Sequence, residues 1–184
     1  MRALTTEQYQ TIIRTVNNGN GSLRANPRCA AVLIAEANLG MRIGDILRLR
    51  LCDIIRDGNR YRLNIVEEKT GKRRTFTVPD QVYSYFCEYA KKQRIAANDL
   101  LFPITVRAVQ KHLKAVCDYL GYEGVSTHSF RKWYATDIYE STGHDIVLVQ
   151  HLLQHSSPNT TRRYIGISDE RVEAAIANHV SIVA

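Results

Sequence analysis

The sequence predicts a mainly α-helical fold carrying a small antiparallel three-stranded sheet (α+β). Three observations lead there. Apolar residues recur at helical spacing along most of the chain, as in Tyr9, Ile12, Ile13 and Val16. Between residues 54 and 78 the period drops to two, in Tyr61-Arg-Leu-Asn-Ile-Val66 and again in Arg74-Thr-Phe-Thr-Val78. The 184 residues suit one domain, 1–184, with no internal repeat and no low-complexity segment.

The first helix is expected to start at Thr5, with Gln8 completing a capping-box spacing. A loop rich in Asn and Gly follows and closes at Pro27. The next helix, Cys29 to Asn38, is apolar nearly all round, which predicts a central position in the core, and Gly40 is placed to end it. A third helix is expected over about Ile43 to Leu51. The sheet then spans Ile54 to Val78, with turns at Asp57-Gly58-Asn59 and Lys69-Thr70-Gly71-Lys72. Six further helices are expected: Asp80 to Arg94, Thr105 to Leu120, Ser129 to Glu140, Asp145 to Gln154, Asn159 to Tyr164 and Asp169 to Val180. Pro103 and Pro158 mark loops before two of them.

Composition narrows the function classes. There are 25 Lys+Arg against 18 Asp+Glu, a formal net charge of +7. A surplus of that sign suits a polyanion, because each neutralised phosphate releases condensed counterions. The four cysteines, Cys29, Cys52, Cys87 and Cys117, form no C-x-x-C pair, and Cys29, Cys52 and Cys117 lie among apolar neighbours. They read as reduced packing residues rather than a disulfide frame or zinc site. The start MRALTTEQYQ has no apolar core of a signal peptide, and no apolar run is long enough to span a bilayer. The expected location is therefore cytoplasmic, with no membrane partner.

Two motifs are decoys. His151 and His155 are four apart, as in a helical zinc pair, but Leu152 stands where a metalloprotease needs Glu. Gly71-Lys72 is followed by Arg73 rather than Ser or Thr, and Val66 replaces the first glycine of a phosphate loop. Neither a metal nor ATP is expected.

What remains is the equipment for attacking a phosphodiester without a cofactor. The transition state spreads negative charge over the phosphate oxygens, and the planar fork of arginine suits two of them. Arg42 follows the break at Gly40. Arg131 falls near a helix start, three residues after His128. A hydroxyl nucleophile is needed. Tyr164 stands out among ten tyrosines, because Arg162 and Arg163 precede it and His155 lies nine residues upstream. The leaving oxygen needs a proton, and a lysine on a hairpin turn, Lys69 or Lys72, can be presented to DNA while the strands hold it. Arg73 and Arg74 suit backbone phosphates. His128 can take a proton from the tyrosine, and His155 can donate a hydrogen bond to the phosphate.

Four boxes in order, NLGMRIGDILRL, EEKTGKRRTFTVP, HSFRKWYAT and LLQHSSPNTTRRY, resemble the catalytic domain of the tyrosine site-specific recombinases, the phage integrase family. The resemblance covers essentially the whole chain. It implies Arg42, Arg131 and His155 as transition-state stabilisers, Lys69 as the general acid with Lys72 as alternate, and His128 as proton acceptor. Tyr164 becomes the covalent nucleophile and Asp45 the acidic residue supporting Arg42. Arg73, Arg74, Lys132, Arg162 and Arg163 become DNA-backbone contacts.

It also implies double-stranded DNA as partner, a 3′-phosphotyrosine intermediate, and a tetramer on two DNA sites formed from monomers. The last helix, with Glu173, Ala174, Ala175, Ile176 and Val180, would either be exchanged between protomers or pack on its own domain. A bacterial or phage-derived, nucleoid-associated enzyme is expected. Two departures stand out: Gln154 replaces the glycine that usually precedes the box histidine, and no DNA-clamping helical domain precedes residue 1. The chain is then either an excised catalytic domain or a single-domain member of the invertase kind. The alternatives are a type IB topoisomerase, which shares the chemistry, and a DNA-binding protein with a dead site.

Overall fold

The computed structural model describes residues 3–66, 68, 69, 71, 73–153, 160, 161 and 165, with the backbone alone for residues 74 and 76. The chain divides into two compact units, 1–134 and 135–184.

In the first unit, α1 (Thr6–Asn18) starts as its sequence predicts. Thr5 Oγ1 accepts from the Gln8 N–H at 3.1 Å, and the Gln8 side chain accepts from the Thr5 N–H at 3.2 Å. The helix α2 (Pro27–Leu39) is capped by the Asn26 side chain and closed by Gly40 in the left-handed region, φ 56°. Nine of its thirteen residues are buried, which makes it the central core helix.

The third helix is shorter than expected. It covers Ile43–Ile46 (α3), and a 3₁₀ turn occupies Leu51–Asp53. Burial alternates between them: Leu47 and Leu49 are inside, Arg48 and Arg50 outside. That is a period of two, which a helix cannot satisfy. The Leu49 carbonyl is taken by the Leu101 N–H at 2.7 Å, so the chain opens here to pair with a distant loop.

The sheet is a meander, β1 (Ile54–Asp57), β2 (Arg60–Val66) and β3 (Arg73–Val78), antiparallel throughout. The first turn is the two-residue Gly58-Asn59 loop, with Gly58 at φ 61°. Leu63 and Val78 are buried, and Tyr61 stacks on Tyr83 of α4 (Asp80–Gln93), ring centroids 3.8 Å apart. Then α5 (Val106–Leu120) follows, with Thr105 as its cap. Next comes α6 (Thr127–Ser141), and the boundary between the two units falls within this helix. Its start is tied back on itself: the Ser126 N–H donates to Ser129 Oγ at 3.2 Å, and the Ser129 N–H to the Ser126 carbonyl at 2.9 Å.

In the second unit, α7 (Ile146–Leu153) begins at Asp145, whose side chain accepts from the Leu148 N–H at 2.9 Å. His144, at φ 71°, pairs with Glu140 at 2.9 Å. Residues 160, 161 and 165 are helical, within the expected helix of 159–164 or next to it. The expected last helix, 169–180, lies outside the described residues.

Two cysteines pack as expected. Burial pushes the Cys29 thiol up to about 12, and pushes Cys117 up to about 11, where Asp118 adds to the rise and Lys114 opposes it. Cys52 departs from the expectation: it is exposed, because it sits in the 3₁₀ turn that leads away from the core into β1. All four cysteines are free. Among the described residues no helix is long and apolar enough to cross a membrane.

Candidate active site

Four of the predicted residues meet around one cleft of about 300 Å³. Its walls include Arg42, Lys69 and His128, together with Asp45 and Glu68. These side chains come from three separate places: the start of α3, the β2–β3 turn, and the first turn of α6.

Arg42 is the residue before α3, in extended conformation (φ −73°, ψ 148°) and half-buried. It is directed there by the break at Gly40. A β-carbon at Gly40 would run into the ring of Tyr134, and its left-handed backbone disfavours any other residue. Gly40→Ala is expected to cost about 1–2 kcal/mol for the backbone and on the order of 1–3 kcal/mol for the clash. The melting temperature should fall by roughly 5–15 °C, measured by thermal unfolding; an unchanged value would contradict the packing of Tyr134 on this turn.

Asp45, expected to support Arg42, is buried. Its Oδ1 accepts from the backbone N–H of Glu68 at 2.9 Å. The bond ties the turn that carries Lys69 to the helix that follows Arg42. Lys69 itself is exposed at the mouth of the cleft. Lys72, the alternate, lies outside the described residues. Of the DNA-backbone candidates, Arg73 opens β3 opposite Val66 and is exposed, and Arg74 is opposite Ile65 in the register.

The H-x-x-R box sits in the first two turns of α6. His128 is its second residue and Arg131 its fifth. The helix is held against α1 by aromatic contacts: Trp133 stacks on Tyr9 with centroids 4.5 Å apart, and Phe130 meets the same ring edge-on at 6.1 Å. His128 is half-buried. Burial lowers its pKa below the ordinary imidazole value, and Arg131, Lys132, Arg42 and Lys69 push it further the same way. All four of these cations were predicted from sequence as site or DNA-contact residues, and this one imidazole senses each of them.

Arg131 is not at the helix end, where amide groups would assist it, but a full turn in. It is 1% exposed, and its Nη1 donates to the Gly40 carbonyl at 2.7 Å. That bond joins the two arginine boxes, 91 residues apart. His155, Arg162, Arg163 and Tyr164 lie outside the described residues.

Sequence reasoning missed two residues. Glu68 lines the cleft and supplies the N–H that Asp45 holds. Glu36 is fully buried in α2. The available signal was a single carboxylate in a mostly apolar helix, four residues before Gly40. Among the described residues, no group of three or more His, Cys, Asp or Glu side chains could hold a metal.

Comparison with known proteins agrees with this layout. The family model described as "Phage integrase family" matches residues 2–171. The chain is 32% identical over 160 residues to the probable integrase/recombinase YoeC of Bacillus subtilis, covering 83% of this chain and 85% of that protein. It is 24% identical to the tyrosine recombinase XerH of Helicobacter pylori over 94% of this chain but half of XerH. A crystal structure of a XerH site-specific recombinase bound to its palindromic difH substrate superposes with a TM-score of 0.71, at 23% identity. That match covers 96% of this chain and 52% of that one, so this chain spans about half the length of XerH. The catalytic domain of bacteriophage HP1 integrase matches at a TM-score of 0.66 and 17% identity, over 97% of this chain and 95% of that one. The helices with their three-stranded meander are thus a tyrosine recombinase catalytic-domain fold, and the chain belongs to the phage integrase family.

Proposed function

We propose that this protein is a site-specific recombinase that cleaves and rejoins double-stranded DNA through a 3′-phosphotyrosine link. The observation that carries the reading is the cleft shared by Arg42, Lys69 and His128, with Arg131 anchored behind it. Two arginines from different boxes suit the oxygens of a scissile phosphate. Lys69, on a turn clamped by Asp45, protonates the leaving 5′-oxygen. His128 accepts the proton of Tyr164, and His155 donates to the phosphate. The phosphotyrosine conserves the energy of the broken bond, so rejoining needs no ATP. Lys132, Arg73, Arg74, Arg162 and Arg163 serve the DNA backbone. Exchange proceeds in a tetramer on two DNA sites, with the last helix passed between neighbours. The catalytic unit is the single domain of 1–184.

The test is incubation with nicked duplexes carrying candidate sites, followed by a denaturing gel. A covalent protein–DNA adduct at a particular site supports the recombinase. Relaxation of supercoils on arbitrary DNA by monomers would favour a topoisomerase. Binding with no adduct on any site would favour a dead member.

The lowered His128 pKa gives a pH prediction. An unperturbed imidazole titrates near 6.5, and His128 titrates below its ordinary range. It is therefore neutral and able to accept a proton at pH 7. The rate of adduct formation should lose none of its His128 contribution between pH 8 and 7, and should fall only in more acidic buffer. Stability follows the same sign: the unfolded chain binds this proton first, so the contribution is complete above about pH 6.5 and is lost as pH falls toward the lower folded value. His128→Gln should flatten that part of both profiles; an unchanged acid limb would remove His128 from the base role.

A further inference from the structure

We infer that Glu68 is a specificity-determining residue: its carboxylate, lying against Gly44 in the cleft of Arg42 and Lys69, disfavours any DNA phosphate that is not fully seated between the arginines. This rests on the reading of that cleft as the seat of the scissile phosphate.

Glu68 lines the same cleft as Arg42, Lys69 and His128. Its backbone is fixed, because its N–H donates to Asp45 Oδ1 at 2.9 Å. Its side chain turns toward α3: Oε2 lies 3.1 Å from the point that a β-carbon at Gly44 would occupy, two residues after Arg42. The glycine leaves the room that the carboxylate takes. Among the described residues this carboxylate makes no hydrogen bond or ion pair. It stands on the cleft wall as an unpaired negative group.

The other charges around the cleft have the opposite sign. His128 senses Arg131, Lys132, Arg42 and Lys69, all acting in one direction. Such a cleft attracts every phosphate of a duplex alike. Discrimination needs a term that penalises the wrong complex. A carboxylate on the wall supplies one, since like charges repel by an amount set by their separation. A loosely held phosphate bears that repulsion in full. A phosphate seated between two arginines gains charge-assisted hydrogen bonds that outweigh it. The Asp45 bond keeps the turn in place, so Glu68 yields only by rotating its own side chain.

The test uses Glu68→Gln, which removes the charge and keeps the shape, and Glu68→Asp, which keeps the charge and draws it back from Gly44. Glu88→Gln is the control: Glu88 is exposed on α4, is not among the cleft walls, and its loss changes the net charge equally. Each protein is measured on a nicked duplex that the wild type cleaves and on a nicked duplex of scrambled sequence. Glu68→Gln should form adduct on the scrambled duplex roughly threefold to thirtyfold faster, and bind it more tightly by a similar factor. Its rate on the cleaved site should stay within about twofold of wild type. Glu68→Asp should fall between the two. Glu88→Gln should leave the ratio of the two rates unchanged. Because the side chain is exposed, the melting temperature of Glu68→Gln should stay within about 2 °C of wild type.

A Glu68→Gln protein with the wild-type ratio of the two rates overturns the proposal alone, as does a Glu88→Gln protein whose ratio falls equally. So does loss of cleavage at the proper site in Glu68→Gln, which would place the carboxylate among the groups that assist the reaction. Absence of a wild-type adduct on every duplex removes the reading of the cleft, and the proposal with it.

Discussion

Replacing Tyr164 by phenylalanine is expected to abolish the covalent protein–DNA adduct while leaving DNA binding within about twofold. The substitution removes one oxygen and keeps the ring, so packing is conserved and the only loss is the atom that would bond to phosphorus. A free phenol titrates near 10, so Tyr164 depends on cationic surroundings and on a base to attack at neutral pH. Arg162 and Arg163 adjoin it in sequence, and His128 in its neutral form can take the proton. Loss of a covalent nucleophile is a step effect: the rate of adduct formation should drop by more than about 10⁴-fold. A denaturing gel with a nicked duplex reads it directly. An adduct of wild-type yield would move the nucleophile to another of the ten tyrosines.

Arg131→Ala should have the second-largest effect, and on two quantities at once. A preorganised donor to a developing phosphate charge is worth about 3–4 kcal/mol, or roughly 10²–10³ in rate. Arg131→Lys keeps the charge without the planar fork and should recover only a small part of that. The same substitution to alanine leaves the buried Gly40 carbonyl without its donor. That loss should destabilise the fold by about 1–3 kcal/mol. Single-turnover cleavage and thermal unfolding, measured on one preparation, separate the two losses. Cleavage at the wild-type rate by a stably folded Arg131→Ala protein would show that the buried arginine serves the fold alone.

Much of this was legible in the chain because the signals are local. The Thr5–Gln8 box, Gly40 and the alternation of residues 61–66 each fix their own stretch of backbone, and each appears where the sequence put it, whereas α2 starts at Pro27, two residues before the expected Cys29. The four boxes were likewise readable, because residue type and order carry them. The segment 47–50 was misread as helix because Ile43, Ile46, Leu47 and Leu51 recur at helical spacing across it. The competing partner, the Leu49 carbonyl's bond to Leu101, is 52 residues away and leaves no local mark.

One bond of Asp45 was hidden for the same reason: its Oδ1 reaches forward 23 residues to the Glu68 N–H, beside Lys69. Glu36 reads as the one carboxylate of an alanine-rich helix. Only the packing around α2 shows that it is fully buried, which drives its carboxyl well above the ordinary carboxylate range.

By itself, then, the sequence determined the element types, the basic character that suits a polyanion and the set of residues able to attack a phosphate, since these depend on side-chain chemistry and short-range periodicity. The tertiary structure alone decided which of them meet. It brought Arg42, Lys69 and His128 to one cleft, placed Arg131 on the Gly40 carbonyl, and lowered the His128 pKa by burial and by four cations from three separate segments. The physical reason is that burial and Coulomb interactions depend on distance through space, which separation along the chain does not encode.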